Sequence, residues 1–212
     1  DFFNFASTGN AQDFGTLSTA SNSGDALSST TRGLVVGGIG SPNPYLSEIQ
    51  SVTMATLGNG VDFGDLTAGR SMLGATSDCI RGVIISGYIS PGANTNVIDY
   101  VNIATAGDAI DFGDMSSNAS TGAAGNATRG LVVTGSSPIE SLQMATLGNT
   151  VKFGDLSVSR GSSNACSTPT RVVFAGGVDY PAYYNIMDYV TIQTDGNAVD
   201  FGDLTVNRHT DN

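Results

Sequence analysis

The feature that most constrains the fold of this chain is a short landmark that recurs along its whole length. Five copies, which mostly read Phe-Gly-Asp-Leu, begin at Phe14, Phe63, Phe112, Phe153 and Phe201. The spacings between them are 49, 49, 41 and 48 residues. A second landmark, an Arg before a short apolar run, recurs at Arg32, Arg81, Arg129 and Arg171, and its spacing is also shortest in the interval that contains the short repeat. A period of this length predicts one repetitive architecture rather than unrelated domains.

The landmarks divide the chain into one partial repeat, four full repeats and a tail. We place their approximate boundaries at 1–17, 18–66, 67–115, 116–156 and 157–204, with the tail at 205–212. Because all repeats belong to one series, we predict a single domain over residues 1–212.

Each repeat contains strand-sized segments and no helical apolar period. The run 33–38 is apolar and rich in β-branched residues, which is typical of a strand covered on both faces, whereas 51–56 alternates with period two. A turn at 58–60 supplies the Gly and Asn that tight hairpins need, and a further strand follows at 60–63. The stretch between Leu66 and Arg81 has room for one more. The sequence therefore predicts an all-β chain.

Four short strands in every repeat are typical of a β-propeller blade. The order of landmarks resembles the Kelch repeat, in which an apolar strand ends in Gly-Gly, as at Gly37-Gly38 and Gly176-Gly177, and a variable loop and an aromatic strand follow. Phe63 and its equivalents stand where Kelch blades carry Trp. The resemblance implies a propeller of four-stranded blades. The four full repeats and the partial one favour five blades, the first of which is incomplete or is completed by the tail, by another copy or by sequence missing from this chain.

Three phrases also resemble repeat proteins of marine bacteriophages, which form tail fibres and other virion appendages. They are Thr-Arg-Gly-Leu-Val-Val at 31–36, Asn-Val-Ile-Asp-Tyr-Val at 96–101 and Asp-Phe-Gly-Asp-Leu-Thr at 200–205. This resemblance implies a virion or extracellular location, and as partners other virion or surface proteins or a further copy of the chain.

Charge and composition narrow the classes of function. The net charge of −11 argues against binding a nucleic-acid backbone or an anionic membrane surface, since both require a surplus of Lys and Arg. No apolar run approaches the roughly 20 residues that span a bilayer, so we expect no membrane insertion. With one His and two Cys, a zinc cluster is hard to build, and we expect no metal and no cofactor.

Charged and aromatic residues that recur in repeat positions are more consistent with a scaffold than with a unique site. We expect the Arg side chains to bond carboxylates and loop carbonyls between blades, and the Asp side chains to hold turns. The structural set is Arg32, Arg81, Arg129, Arg171, Phe63, Phe112, Phe153, Phe201, Asp65, Asp114, Asp155 and Asp203, to which Arg70, Arg160 and Arg208 add a second arginine position.

The enzymatic alternative is a glycoside hydrolase that uses two carboxylates outside the repeat positions. The main candidates are Glu48, Asp78, Glu140, Asp179 and Asp195, and their spacing selects no pair. A Ser-His-Asp triad would need His209, close to the end of the sequence. Cys79 and Cys166 occupy different repeat positions, so two buried free thiols are the expectation, with a disulfide as the alternative.

The loops that follow the Gly-Gly strands differ most among the repeats in length and sequence, and several of them contain Tyr. In a propeller, equivalent loops share one face, where Tyr beside Asn or Asp can stack on a sugar or contact a protein. The binding candidates are Tyr45, Tyr88, Asp179, Tyr180, Tyr183 and Tyr184, although these Tyr side chains could equally pack the loops against neighbouring blades. We expect a noncatalytic recognition module that binds a glycan or a neighbouring subunit; a lectin with several weak sugar sites is the second reading.

Overall fold

The computed structural model describes residues 1–42, 44–90, 92–118, 122–135 and 137–208, and within them the chain is all-β. Four four-stranded antiparallel sheets and two two-stranded sheets are present, and no helix occurs in these ranges. The prediction of an all-β chain with four short strands per repeat is confirmed. His209, considered above, lies outside the described residues.

The strands follow the repeats in chain order. Sheet 1 contains β1 (Asp25–Ser28), β2 (Arg32–Val36), β3 (Glu48–Thr53) and β4 (Val61–Asp65). Next come β5 (Gly74–Ser77), β6 (Arg81–Ile85), β7 (Tyr88–Ile89), β8 (Ala93–Asn94), β9 (Val97–Asn102) and β10 (Ile110–Asp114), of which β7 and β8 form a hairpin and the other four form sheet 2. Sheet 3 contains β11 (Ala123–Gly125), β12 (Arg129–Val133), β13 (Pro138–Gln143) and β14 (Val151–Asp155). Last come β15 (Asn164–Ser167), β16 (Arg171–Ala175), β17 (Val178–Asp179), β18 (Ala182–Tyr183), β19 (Ile186–Thr191) and β20 (Val199–Asp203), with β17 and β18 as a hairpin and the others as sheet 4.

The recurring Phe occupies an irregular position in the last strand of each sheet. In sheet 1, Ile49 pairs with Gly64 and Gln50 pairs with Asp62, so Phe63 between them is the extra residue of a β-bulge. The same shift occurs in the other three sheets. A bulge re-aims the side chain it carries, and in sheets 1 to 3 the bulged Phe is buried against the following sheet.

Three apolar clusters lie between successive sheets. The first joins Leu34, Val36 and Phe63 of sheet 1 to Ile84 and Ile103 of the second repeat. The second and third clusters join sheet 2 to sheet 3 and sheet 3 to sheet 4 in the same way. The hydrophobic core is thus divided among the interfaces, because the alternating faces of the central strands point to the sheets on either side.

The first strands of all four sheets line one cavity of about 280 Å³. Small side chains dominate its wall, and Cys166 is among them. Both cysteines are free and exposed, so the expectation of two buried thiols is wrong. Cys166 lies on a strand that faces this cavity, and Cys79 lies in the turn between β5 and β6.

Residues 1–17 form the second half of a repeat that packs against sheet 1. Phe2 forms an antiparallel bridge with Gln12, which matches the pairing of Ser51 with Val61 in the first full repeat. At the other end, the amide of Gly177 donates to the carbonyl of Arg208 (2.9 Å), as the amide of Gly38 donates to that of Arg70 (2.9 Å).

Candidate functional site

A turn in each sheet, which carries Gly and Asn or Asp, contacts the last strand of the preceding sheet. We call this contact the clasp. Between sheets 1 and 2, the amide of Gly107 donates to the carbonyl of Phe63 (2.7 Å), and the amide of Asp65 donates to Asp108 Oδ1 (3.1 Å). The amide of Ala109 completes it by donating to the carbonyl of Asp65 (2.7 Å). Two of the three hydrogen bonds in the clasp join backbone groups, and the third uses a side-chain oxygen of the turn, here that of Asp108.

The clasp recurs at the other interfaces with nearly unchanged distances. The turn glycine reaches the carbonyl of the recurring Phe at 2.9 Å from Gly58 to Phe14, 2.8 Å from Gly148 to Phe112 and 2.9 Å from Gly196 to Phe153. The glycine that follows Phe63 explains the close approach, because a Cβ on Gly64, where φ is +148°, would lie 2.4 Å from the carbonyl oxygen of Gly107.

The first arginine position adds a side-chain contact between sheets. Arg32, Arg81 and Arg129 each donate through Nη1 to a carbonyl of the following repeat, at Ile103 (2.8 Å), Met144 (2.8 Å) and Ile192 (2.9 Å). Each guanidinium also lies over an aromatic ring of the repeat, such as Tyr100 at 4.7 Å from Arg81. Arg171 lies over Tyr189 at 4.6 Å at the end of the series.

The second arginine position forms buried ion pairs. Arg160 Nη1 lies 2.9 Å from Asp188 Oδ2, with both side chains fully buried, and Arg70 makes the same pair with Asp99. Burial lowers the pKa of the Arg70 guanidinium, and the Asp99 carboxylate opposes that effect. Both acids also accept hydrogen bonds from a hydroxyl residue of the same repeat, for example Ser157 Oγ at 2.6 Å from Asp188.

Sequence reasoning did not place Gln50 and Glu140 in this buried repeat position, and it treated Glu140 as an acid outside the repeat positions. Positions 50, 99, 140 and 188 each precede the turn glycine by eight residues, at 58, 107, 148 and 196. Glu140 is buried and accepts hydrogen bonds from Ser116 and Thr150. The constant distance to the turn glycine was the available signal, but the residue types differ too much for the repetition to be obvious.

The remaining carboxylate candidates for hydrolysis are dispersed among structural contacts. Glu48 accepts a hydrogen bond from Ser18 Oγ (2.8 Å), and Asp78 accepts from the amide of Arg81 (2.6 Å). Asp195 pairs with Arg129 (2.7 Å), and Asp179 is exposed on a hairpin. Within the described ranges, no group of three His, Cys, Asp or Glu side chains could hold a metal ion.

One carboxylate on the first strands, which line the central cavity, has a shifted pKa. Asp25 on β1 is partly buried, and desolvation raises its pKa. The amides of Ala26 (2.7 Å) and Ala75 (2.7 Å) donate to this carboxylate and act in the opposite direction. Asp25 therefore joins sheets 1 and 2, at a net desolvation cost to its charged form.

The tyrosine candidates fall into two pairs and one separate residue. Tyr45 and Tyr88, from the loops of sheets 1 and 2, are half-buried, and their ring centroids lie 6.0 Å apart. Tyr180 and Tyr183 belong to the β17–β18 hairpin, with centroids 6.1 Å apart and exposures of 75% and 42%. Tyr184 is half-buried and its carbonyl accepts from the amide of Arg208 (3.1 Å). The hairpin pair, with the exposed Asp179, is the most accessible aromatic group among the candidates.

Comparison with protein-family models and with curated proteins finds no match to this chain. In the described part of the chain, no helix is long and apolar enough to cross a membrane.

Proposed function

We propose that the chain is a noncatalytic recognition module with the architecture of a Kelch-like β-propeller. The four sheets follow one another through identical clasps, and their first strands surround a common cavity. Radial sheets with inner strands around a channel are what a propeller requires. Residues 1–17 supply the outer half of a fifth blade in this arrangement.

The observation that carries the proposed function is the exposed tyrosine pair on the β17–β18 hairpin. Tyr180 and Tyr183 present two rings at an interplanar angle of 72°, beside the carboxylate of Asp179. A ring that stacks on a sugar face and an acid that accepts its hydroxyls are a common combination in carbohydrate recognition, and they also suit a protein contact.

The ligand class that fits this group is a glycan of a host surface, or a polar surface of a neighbouring subunit. The phage-like phrases support a place on a virion appendage or another extracellular structure. The noncatalytic assignment rests on the candidate carboxylates, since Asp195 pairs with Arg129 and Glu140 accepts hydrogen bonds from the hydroxyl groups of Ser116 and Thr150. Their environment suits a scaffold better than an acid and base pair.

A glycan array probed with the purified chain tests the proposal. We expect binding to a restricted set of glycans, and a loss of about tenfold or more for Tyr180→Ala and Tyr183→Ala, because each removes a stacking ring. Val199→Ser, an exposed change on β20, serves as the matched control and should leave binding unchanged. Several equal sugar sites per chain would favour the lectin instead. Release of sugar from any bound glycan would contradict a noncatalytic role.

A further inference from the structure

One face of sheet 1 is less covered than the same face of the other sheets. Gly82 and Gly130 contact side chains of the preceding sheet, since a Cβ there would lie 2.6 Å from Leu27 Cδ1 and 3.2 Å from Thr76 Cγ2 respectively. At the equivalent Gly33, the only neighbour within 4 Å of such a Cβ is Val52 of its own sheet.

The space beside this face is an apolar groove of about 500 Å³ between sheet 1 and residues 1–17. Its lining includes Phe3, Leu17, Val35, Val52 and Met54. Val35 is half-buried, whereas its equivalents Ile84, Val132 and Phe174 are fully buried against the preceding sheet. In the three internal interfaces, apolar side chains of the second strand of the preceding repeat fill part of the corresponding space, as Leu34 and Val36 do between sheets 1 and 2.

The groove is bordered by a strand edge that can accept another strand. In sheet 1, Ser51 pairs with Val61 on one side and with Leu34 on the other. Its counterpart Phe2 pairs with Gln12 on the first side, and no residue of the described ranges is assigned to the second. The amide of Met54 donates to the carbonyl of Thr31 (2.9 Å), whereas the equivalent Phe5 is 95% exposed.

The groove also contains an unused position for arginine. The carbonyls of Ile103, Met144 and Ile192 each accept from an arginine of the preceding repeat, and their side chains are fully buried. Met54 is the equivalent residue of the first full repeat and is 53% exposed. Within the described residues, no arginine occupies the corresponding place beside Met54.

We propose that this groove binds a β-hairpin from another polypeptide that carries a repeat of this kind. The second strand of the hairpin adds to the free edge at Phe2–Phe5, its apolar side chains cover Val35 and Val52, and its arginine donates to the carbonyl of Met54. Backbone pairing provides affinity and the arginine provides register, which is the logic of strand addition to a sheet edge. The three internal interfaces of this chain show which strands and which arginine such a hairpin has to carry.

The test uses the full chain and a fluorescein-labelled peptide with the sequence of residues 122–135, which contains the first two strands of the third repeat and no Cys. We expect saturable binding in fluorescence polarisation. The Arg129→Ala version of the peptide should bind about tenfold more weakly, because it loses a charge-assisted hydrogen bond. Hydrogen exchange should show new protection of the amides at Phe3 and Phe5.

Two protein variants locate the site. Val35→Lys places a charge in the groove and should weaken binding of the unmodified peptide by about tenfold or more. Val173→Lys, on the far face of sheet 4, is the control and should not change it, and circular dichroism verifies that both variants fold. The proposal is overturned if the peptide does not bind, if Val35→Lys has no effect, or if protection appears at 199–203 instead of at Phe3 and Phe5.

Discussion

Three residue types, Gln, Asp and Glu, occupy one buried position of the four full repeats, eight residues before the turn glycine. Asp99 and Asp188 pair with arginines, and Glu140 accepts from hydroxyl groups. Gln50 needs no charged partner, since its Oε1 accepts from the amide of Ser18 (2.7 Å) and its Nε2 donates to the carbonyl of Thr19 (3.1 Å). The position thus requires a satisfied polar group rather than a particular residue.

This comparison predicts how the buried ion pair of the fourth repeat responds to substitution. Arg160→Ser leaves Asp188 charged and buried without its partner, so we expect a loss of about 3–5 kcal/mol in the free energy of unfolding. The double variant Arg160→Ser/Asp188→Gln copies Ser21 and Gln50 of the first repeat and should recover most of that loss. Urea denaturation measures both. A double variant no more stable than the single one would contradict this account.

At the scale of elements, the clasp explains why the same short motif recurs. The bulge points the Phe side chain towards the next sheet, and the Gly that follows has no Cβ to block the turn of that sheet. The amide of the next residue, Asp65 in sheet 1, donates a hydrogen bond to this turn, and its carbonyl accepts one. The sequence indicated the strands and the turns, because their periods and turn residues are local signals. It did not indicate β7, β8, β17 and β18, whose two-residue strands are too short to show a period. Nor did it show that the turns join neighbouring sheets, since the residues in contact lie 35 to 43 positions apart in the sequence.

The clasp makes a specific prediction for Asn197. Its Oδ1 accepts from the amide of Asp155 (3.1 Å), so Asn197→Ala should lower the free energy of unfolding by about 1 kcal/mol. Asn197→Asp should be nearly neutral, because Asp108 already makes the same contact with the amide of Asp65 in the second repeat. Thermal or urea unfolding distinguishes the two variants. Equal effects would mean that the side-chain oxygen is not the stabilising group.

For the whole molecule, the division of the core among interfaces means that each sheet is stabilised mainly by its neighbours. Sheets 2 and 3 are covered on both faces, whereas sheets 1 and 4 each have a face that is only partly covered. Stability in such arrays is approximately a sum of unit and nearest-neighbour terms. The repeat period predicted this series of units, but the covering of each face depends on contacts between units, which no single repeat contains.

The position of a sheet in the series should therefore decide the effect of the same substitution. Phe112 is 3% exposed and Phe201 is 53% exposed, although both occupy the bulge of their sheet. We expect Phe112→Ala to lower the free energy of unfolding by about 3–5 kcal/mol and Phe201→Ala by less than about 1 kcal/mol. Urea titrations of the two variants measure both losses of unfolding free energy. Similar losses would show that Phe201 is buried in solution.

The loop between β12 and β13 covers only 134–137, whereas the loop between β2 and β3 covers 37–47. The clasps on either side nevertheless keep their distances, with 2.8 Å from Gly148 to Phe112 and 2.9 Å from Gly196 to Phe153. Loop length and sheet assembly are therefore separate variables in this protein. A chain with that property is a natural display scaffold, in which new peptides can be grafted or diversified at one edge of each sheet while the contacts that assemble the molecule are left untouched.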